Sequence, residues 1–456
     1  MATGTADAGF FQVEVLSLDE SAAGVVELPE GDHVLRVHVA GALPGERISG
    51  RITYRSVHAR GGRREAWGSL TSVELPSPDR VAPPCPVQGL CGGCSFMHLA
   101  YSAQLAWKRG RVCEEFARHP TLASVEVAAC VPSPVTLGYR NQAKYVCARA
   151  EGGELVLGAY APRSHEVIDL AGCRVVEPVL EEVRRGLLGI LSFHAVEPYH
   201  ETRRTGLLRY AILRASSAGR VLATLVAAWA DWAEASAVAA ELMEQCPAVV
   251  GVLLNVNGGA GNTLFGTEQR LLAGQATLEE EIGDVRVHLA SRSFFQANRA
   301  VGSRIYRDLC AGIPGHLERA VDAYSGAAGI ALSLLSRAGQ VIAIEENAAA
   351  TEVAAASASE QLSVITADAA VGLAAVDSAD LVVLNPPRKG CSEAVLAEVR
   401  RLSPRLVAYV SCDPRSLARD LAVLREAGST IISVVPYDMM PHTPHVETLV
   451  LLSLSR

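Results

Sequence analysis

No apolar run in the chain reaches the roughly 18 residues of a membrane span, so a membrane helix is not expected. The opening MATGTADAGF has neither the basic start nor the apolar stretch of a secretory signal. Positive charge is not in excess: 41 Lys and Arg against 49 Asp and Glu leave a net charge of −8. Nothing therefore pulls the chain as a whole toward nucleic acid. Cysteines number eleven, an odd count, and without a signal they exclude a disulfide framework. A second Cys-x2-Cys or a His pair, the usual complement of a zinc site, is also missing. No internal repeat stands out, and the one biased tract is an Ala-rich helix around residues 348–358. These absences predict a soluble, cytoplasmic protein with no membrane contact; no obligate protein partner is expected, and a monomer is.

What is present points to several domains. With 456 residues, 49% of them hydrophobic, the chain is too long for one ordinary domain and has apolar content for two or three cores. From about Phe11 to Leu75 the sequence alternates as short strands do, with Gly-Ala-Leu-Pro-Gly-Glu (41–46) as a turn. About five short strands there predict a small barrel of the OB type, a frequent nucleic-acid platform. Six arginines and no acid lie between Arg47 and Arg64, with His58 among them. This run is a local basic patch or a solvated hairpin. LPSPDRVAPPCP reads as a linker. Residues 102–118 have helical periodicity, and QAKYVCARA, LLRYAILRAS and RVLATLVAAW are strand candidates in a central α+β domain. Beyond about Val285, apolar strands alternate with Ala/Leu-rich helices: RAVDAYSG, GQVIAIEEN, LSVITADA, ADLVVLNPP, RLVAYVSCDP and STIISVVPYD. That alternation predicts a doubly wound parallel sheet with its site at the carboxyl ends of the strands. The divisions are residues 10–78, 79–290 and 291–456.

CPVQGLCGGC gathers Cys85, Cys91 and Cys94, with two glycines that let the chain wrap an ion or cluster. Three nearby thiolates suit zinc or iron–sulfur chemistry, or else are ordinary buried cysteines. A fourth ligand is needed, and Cys173 in DLAGCRVVEP is the best candidate. The lack of a second ligand pair favours a 4Fe–4S cluster.

At successive strand ends stand Asp322, Gly326, Glu345, Asp368 and Asn385-Pro386-Pro387. An acid after the second strand grips ribose hydroxyls in nucleotide-type folds. The set suits S-adenosylmethionine, which needs ribose and amino-acid contacts but no pyrophosphate cradle. Cys412 in YVSCDP precedes a helix that Asp413 can cap and Pro414 can begin. The positive end of that helix favours a thiolate, making Cys412 a candidate nucleophile. Glu447 enters an apolar strand just after His442 and His445, where burial raises a carboxylate pKa toward that of a general base.

On these residues the chain resembles the RNA uracil-C5 methyltransferases, which make 5-methyluridine from S-adenosylmethionine. The resemblance runs from about residue 11 to the C-terminus through the cysteine set, SFFQAN (293–298), DAYSG (322–326), NPPRKG (385–390), SCDP (411–414) and HVETLVLL (445–452). It implies an α/β multidomain fold: an OB-like TRAM barrel, a central domain carrying an iron–sulfur cluster on four cysteines, and a Rossmann-like methyltransferase domain. It implies that Cys412 adds to uracil C6 and that Glu447 removes the C5 proton. Gln296, Tyr324, Gly329, Glu345 and Asn385 match cofactor positions, with Asp322 and Asp368 as supports. Phe294 matches a base-stacking ring, and Cys85, Cys91, Cys94 and Cys173 match the ligands of a structural 4Fe–4S cluster. Barrel arginines and GYRNQAK (138–144) can supply phosphate contacts, and Arg140, Lys144 and Arg388 are expected on the substrate side. The partner expected is RNA, ribosomal ahead of transfer RNA, largely because of the cluster.

Two residues depart from the common pattern. Ala328 stands in the cofactor turn where many members have glycine, which puts a methyl group where the backbone passes close to the cofactor. Asn385 stands where many have Asp. Ala328 supports one alternative, a catalytically weak RNA-binding or chaperone-like relative. A radical methylase is a second, and the x5 spacing between Cys85 and Cys91 disfavours it.

Overall fold

In a computed structural model, residues 9–31, 33–57, 64–261, 263–293 and 295–454 are described. They form two compact units. The first takes the chain up to Trp107 together with Ala161–Ser164 and Pro441–Pro444. The second takes Lys108–Tyr160, His165–Met440 and His445 onward. Among the described residues no helix is long and apolar enough to cross a membrane.

The first unit is built on six strands: β1 (Phe10–Glu14), β2 (Ser17–Leu18), β3 (Gly24–Glu30), β4 (His33–Val39), β5 (Arg47–Arg55) and β6 (Arg64–Leu75). They hydrogen-bond in the order β1-β5-β6-β4-β3-β2. Alternation puts Val26, Leu35, Val37, Val39, Ile48 and Ala66 in one core. Phe11 lies against two glycines: a Cβ at Gly50 would fall 2.5 Å from its ring, one at Gly68 3.2 Å. On the other face, Tyr54, Trp67 and His38 sit on neighbouring strands, and the His38 ring is held between Asp19 and Glu65 at 2.6 Å each. The proline-rich stretch after β6 is anchored rather than slack. Arg80 donates to the buried Glu46 carboxylate at 2.5 and 2.8 Å, and Glu46 also accepts from the backbone N–H of Leu43 and Ser77.

The helix α1 (Tyr101–Ala117) leads into the second unit, which holds two large sheets. The central sheet comprises β7 (Gln142–Arg149), β8 (Leu155–Tyr160), β9 (Val167–Asp169), β10 (Leu208–Ala215), β11 (Val221–Ala227), β12 (Val249–Val256) and β13 (Glu268–Gly274). Their order is β13-β12-β11-β10-β7-β8-β9. Every residue of β10 and β11 is buried, as their near-continuous apolar runs require. One face packs on α2 (Pro178–Phe193) and α3 (Ala235–Gln245) through Leu180, Val183, Leu187, Val238 and Leu242. A hairpin of β14 (Thr277–Ile282) and β15 (Val285–Ala290) precedes α4 (Arg299–Ala311).

The last sheet alternates strand and helix: β16 (Leu317–Ala323), α5 (Gly329–Leu334), β17 (Ala338–Glu345), α6 (Ala348–Ala355), β18 (Leu362–Thr366), α7 (Ala369–Ala374) and β19 (Leu381–Leu384). Then follow α8 (Glu393–Leu402), β20 (Leu406–Ser411), α9 (Pro414–Glu426), β21 (Ser429–Tyr437) and β22 (Glu447–Leu454). The order is β18-β17-β16-β19-β20-β22-β21, parallel through β20 and antiparallel at β22. Consecutive strand residues face opposite cores, Val321 and Val382 on one side, Ala320 and Leu381 on the other. Strand order reverses between β16 and β19, which opens a crevice at their carboxyl ends.

A buried ion pair closes this unit. Lys108 donates to Asp438 and, at 3.0 Å, to the Met440 carbonyl, and both charged side chains are fully buried. Removing one partner strands the other charge, whereas removing both does not. Lys108→Met is expected to cost about 3–5 kcal/mol in denaturant unfolding, and Lys108→Met with Asp438→Leu to recover most of it. Equal losses in the single and double variants would show that the pair is not what holds this corner.

Candidate active site

The ends of β16 and β19, with the 295–296 segment, α4 and α5, bound a narrow cleft lined by Phe295, Gln296, Tyr306, Tyr324, Ser325, Gly326, Ala327, Gly329, Ile330 and Asn385. The turn after β16 is shaped from beneath. Tyr324 and Ser325 donate backbone N–H to the Ile344 carbonyl, and Gly326 donates to Glu345 Oε2 at 2.9 Å. The other Glu345 oxygen accepts from Asn347 N at 2.8 Å. Asp322 is fully buried, accepts from Ala331 N at 3.0 Å through Oδ2, and leaves Oδ1 without a partner. Burial, then the charge of Glu345, pushes its carboxyl up to about 7. Asp368 caps α7 through Ala370 N at 2.9 Å and is not part of the cleft wall. Ser325 Oγ, at the wall, is buried without a partner.

Ala328 is in the left-handed region at φ 61° and begins α5. Its methyl is fully buried in the core beside Ile330, Ala331 and Leu334, not on the cleft wall. At the next residue, Gly329, a Cβ would lie 2.8 Å from Tyr306 Oη. Nothing in the sequence singles out Tyr306. It sits on the apolar stripe of α4 with Val301, Ile305 and Leu309, and only its hydroxyl distinguishes it from a core residue.

Cys412 lies between β20 and α9, and the antiparallel register pairs Ser411 with Thr448, bringing Cys412 alongside Glu447. Glu447 is buried, and loss of water pushes its carboxyl up to about 7. The thiol of Cys412 is pushed up to about 11 by burial and by Glu447, with Arg388 pulling the other way. A thiolate favoured by the helix end is therefore not what the resting geometry provides. Asp413 occupies the N-cap, accepting from Ser416 N at 2.8 Å, and its charge too raises the thiol.

Among the residues expected on the substrate side, Arg388 is exposed, and Arg140 has a buried Nε without a partner. Their charges converge on His445, whose pKa falls to about 4 through burial first and then Arg388, Lys108 and Arg140. Lys144 lies on β7 with Nζ 5.1 Å from the Tyr210 ring centre. Phe294, and His58 with part of the arginine run, fall outside the described residues. A broader hollow at the amino ends of β16, β17 and β19 has its polar groups bonded to one another, Arg319 to Gln340 and Ser378, Asp380 to Glu318 N.

The four cysteines expected to hold a cluster are divided between the two units. Cys85, Cys91 and Cys94 share a turn in the first unit, with Cys91 N donating to Val87 O at 3.0 Å. Cys173 belongs to the second unit and packs at the edge of the core under the central sheet. Among the described residues no group of three or more His, Cys, Asp or Glu is placed to hold a metal ion.

The C-terminal residues 371–455 match the family model described as tRNA (uracil-5-)-methyltransferase. An uncharacterised RNA methyltransferase of Geobacter sulfurreducens is 36% identical over 97% of this chain and 89% of its own length. One from Thermosynechococcus vestitus is 36% identical over 92% and 93%. Among solved structures, a Pyrococcus abyssi tRNA (uracil-54, C5)-methyltransferase in complex with S-adenosyl-L-homocysteine superposes with a TM-score of 0.75. It has 23% identity, covering 97% of this chain and 99% of that one, and shares the fold.

Gly329→Ala is expected to destabilise the second unit by about 1–3 kcal/mol, through overpacking against Tyr306. Tyr306→Phe in the same chain should recover part of the loss in thermal unfolding. No recovery would place the strain elsewhere in the turn.

Proposed function

The chain belongs to the RNA uracil-C5 methyltransferase family, and on that premise we propose that it methylates C5 of a uridine in RNA. The observation that carries this reading is the pairing of Cys412 with the buried Glu447 at the carboxyl end of a parallel sheet that also carries the cleft. The residues fit S-adenosylmethionine: Glu345 follows the second strand where a ribose is gripped, Gln296, Tyr324 and Asn385 line the wall, and Ser325 Oγ is an unbonded polar group there. When bound, that cofactor supplies a methyl group electrophilic enough for an enolate carbon to attack.

The chain's own groups do the rest. Uracil C5 is a poor nucleophile until C6 is saturated. Cys412 Sγ bonds to C6, and the C5–C6 π pair moves into an enolate on C4–O4. After methylation Glu447 takes the C5 proton, the double bond re-forms, and Sγ leaves as thiolate. A carboxyl with its pKa at about 7 is matched to that task. Arg388 favours the thiolate needed for attack, and Arg140 with Arg388 offers cationic contacts for the phosphates flanking a base turned out of its stack. Asp322 and Asp368 act as supports, Asp322 beneath the turn and Asp368 as a helix cap. Phe294 is kept as the proposed stacking ring and Lys144 as a phosphate contact. The three-part division at 10–78, 79–290 and 291–456 goes with this reading, the first part as a TRAM-like RNA-binding module.

The preference for ribosomal RNA rests on an iron–sulfur cluster, and the cysteine geometry does not supply that support. The Pyrococcus relative, by its name, acts on tRNA. The chemistry above uses neither the cluster nor its cysteines, and both RNA classes belong in the test.

Tritium release from RNA labelled at uridine C5 should require S-adenosylmethionine and vanish in Cys412→Ala, whose cofactor binding stays intact. No release from ribosomal or transfer RNA would leave an RNA-binding relative. Glu447→Gln should trap a covalent protein–RNA adduct on a denaturing gel, and full methylation by that variant would refute the base role. The single-turnover rate should climb with pH. Below about 7 both Glu447 and Cys412 must lose protons, so the log rate rises with a slope near 2, and above it near 1, in line with the two raised values. A rate that falls between about pH 6 and 8 would contradict both assignments.

A further inference from the structure

The loop that runs from Asn385 to Cys391 carries a cleft-wall residue at one end and Arg388 in its middle, and it is held from below by one carboxylate. Asp420, on α9, is fully buried. Its Oδ2 accepts from Cys391 N at 2.7 Å and from Tyr409 Oη at 2.6 Å. Its Oδ1 accepts from Arg419 at 2.6 and 2.8 Å. Arg419 turns back to the same loop and donates to the carbonyls of Lys389, at 2.9 Å, and Cys391, at 3.3 Å. The loop therefore presents one backbone donor and two acceptors to a single acid–base pair on the helix that follows Cys412.

The fit leaves no slack. Gly390 is left-handed at φ 77° and donates to Pro387 O at 2.8 Å. A Cβ there would meet Arg419 Nη2 at 2.5 Å and Asp420 Oδ2 at 2.6 Å, so the glycine is demanded by the ion pair beneath it as well as by its φ. The contact extends to the cleft wall. The Cys391 thiol lies between the hydroxyls of Tyr409 and Tyr324, and Tyr324 lines the cleft with Asn385. A continuous chain of polar contacts thus runs from α9 through the loop to the cleft.

We propose that Asp420 is a positioning residue, which with Arg419 locks the 385–391 loop to the helix after Cys412 and so places Asn385 and Tyr324 for the cofactor and Arg388 for the nucleophile. The proposal rests on the methyltransferase reading for its kinetic half only, because its other half concerns cofactor binding. Each half has its own readout. Preorganised sites lose rate steeply when a supporting group lets a reacting group drift by about an ångström.

The test compares Asp420→Asn, which keeps the volume and an acceptor but discharges the pair, with Tyr409→Phe, which deletes one donor and disturbs packing less. Leu242→Ala, in the core under the central sheet, serves as a control for plain loss of stability. All are measured well below their unfolding temperatures. S-adenosyl-L-homocysteine affinity by calorimetry should weaken about tenfold in Asp420→Asn and by a smaller factor in Tyr409→Phe, with Leu242→Ala unchanged. Single-turnover methyl transfer at saturating RNA and cofactor should fall at least about tenfold in Asp420→Asn, so that the defect lies in the step and not in RNA KM. Affinity and rate within about twofold of wild type in both loop variants would overturn the proposal. So would an equal loss in Leu242→Ala, which would make the effect general destabilisation. Wild-type protein that binds S-adenosyl-L-homocysteine but turns over no RNA would sink the proposed reaction, while the affinity comparison would still judge Asp420.

Discussion

One strand register sets the chemistry. β22 enters antiparallel between β20 and β21, pairing Thr448 with Ser411 and Glu447 with Tyr437. The side-chain period of a strand is two, so a slip of one residue would turn Glu447 to the other face. With the register as it is, the Cys412 thiol at the end of one strand and the Glu447 carboxyl at the start of its neighbour come together in one corner.

The same corner explains the electrostatics. Water is excluded from Glu447 and from Asp322, and burial is the first reason each carboxyl is raised to about 7. The charges of Arg388, Lys108 and Arg140 act together on His445. Deeper in, charges come in pairs. Lys108 with Asp438 and Arg419 with Asp420 each seat a buried carboxylate, and both tie helices to the loops or strand ends around the site.

The periodicity of the chain made much of this legible. Six apolar runs ending in polar residues are the six strands β16 to β21, and the cap and first-turn proline of α9 stand where Asp413 and Pro414 announced them. Cys412 and Glu447 were visible as odd polar residues at strand ends. Tyr306 was not, because on an apolar helical stripe a tyrosine reads as packing. Asp420 was invisible for a similar reason. One acid inside an amphipathic helix gives no hint that it faces a loop 29 residues upstream.

Local sequence determined which segments are strands and helices, where the caps fall and which residues are chemically able to act, since these depend on neighbours within a few positions. Only the tertiary structure decided protonation, clearance and company. Burial and the charge of Glu447 push the Cys412 thiol up although a helix begins beside it. The fold turned the Ala328 methyl into the core and set Gly329 against Tyr306. It put Cys85, Cys91 and Cys94 on one turn without assembling a metal group among the described residues. Such outcomes depend on desolvation and on contacts between segments far apart in the chain, and spacing along a sequence carries neither.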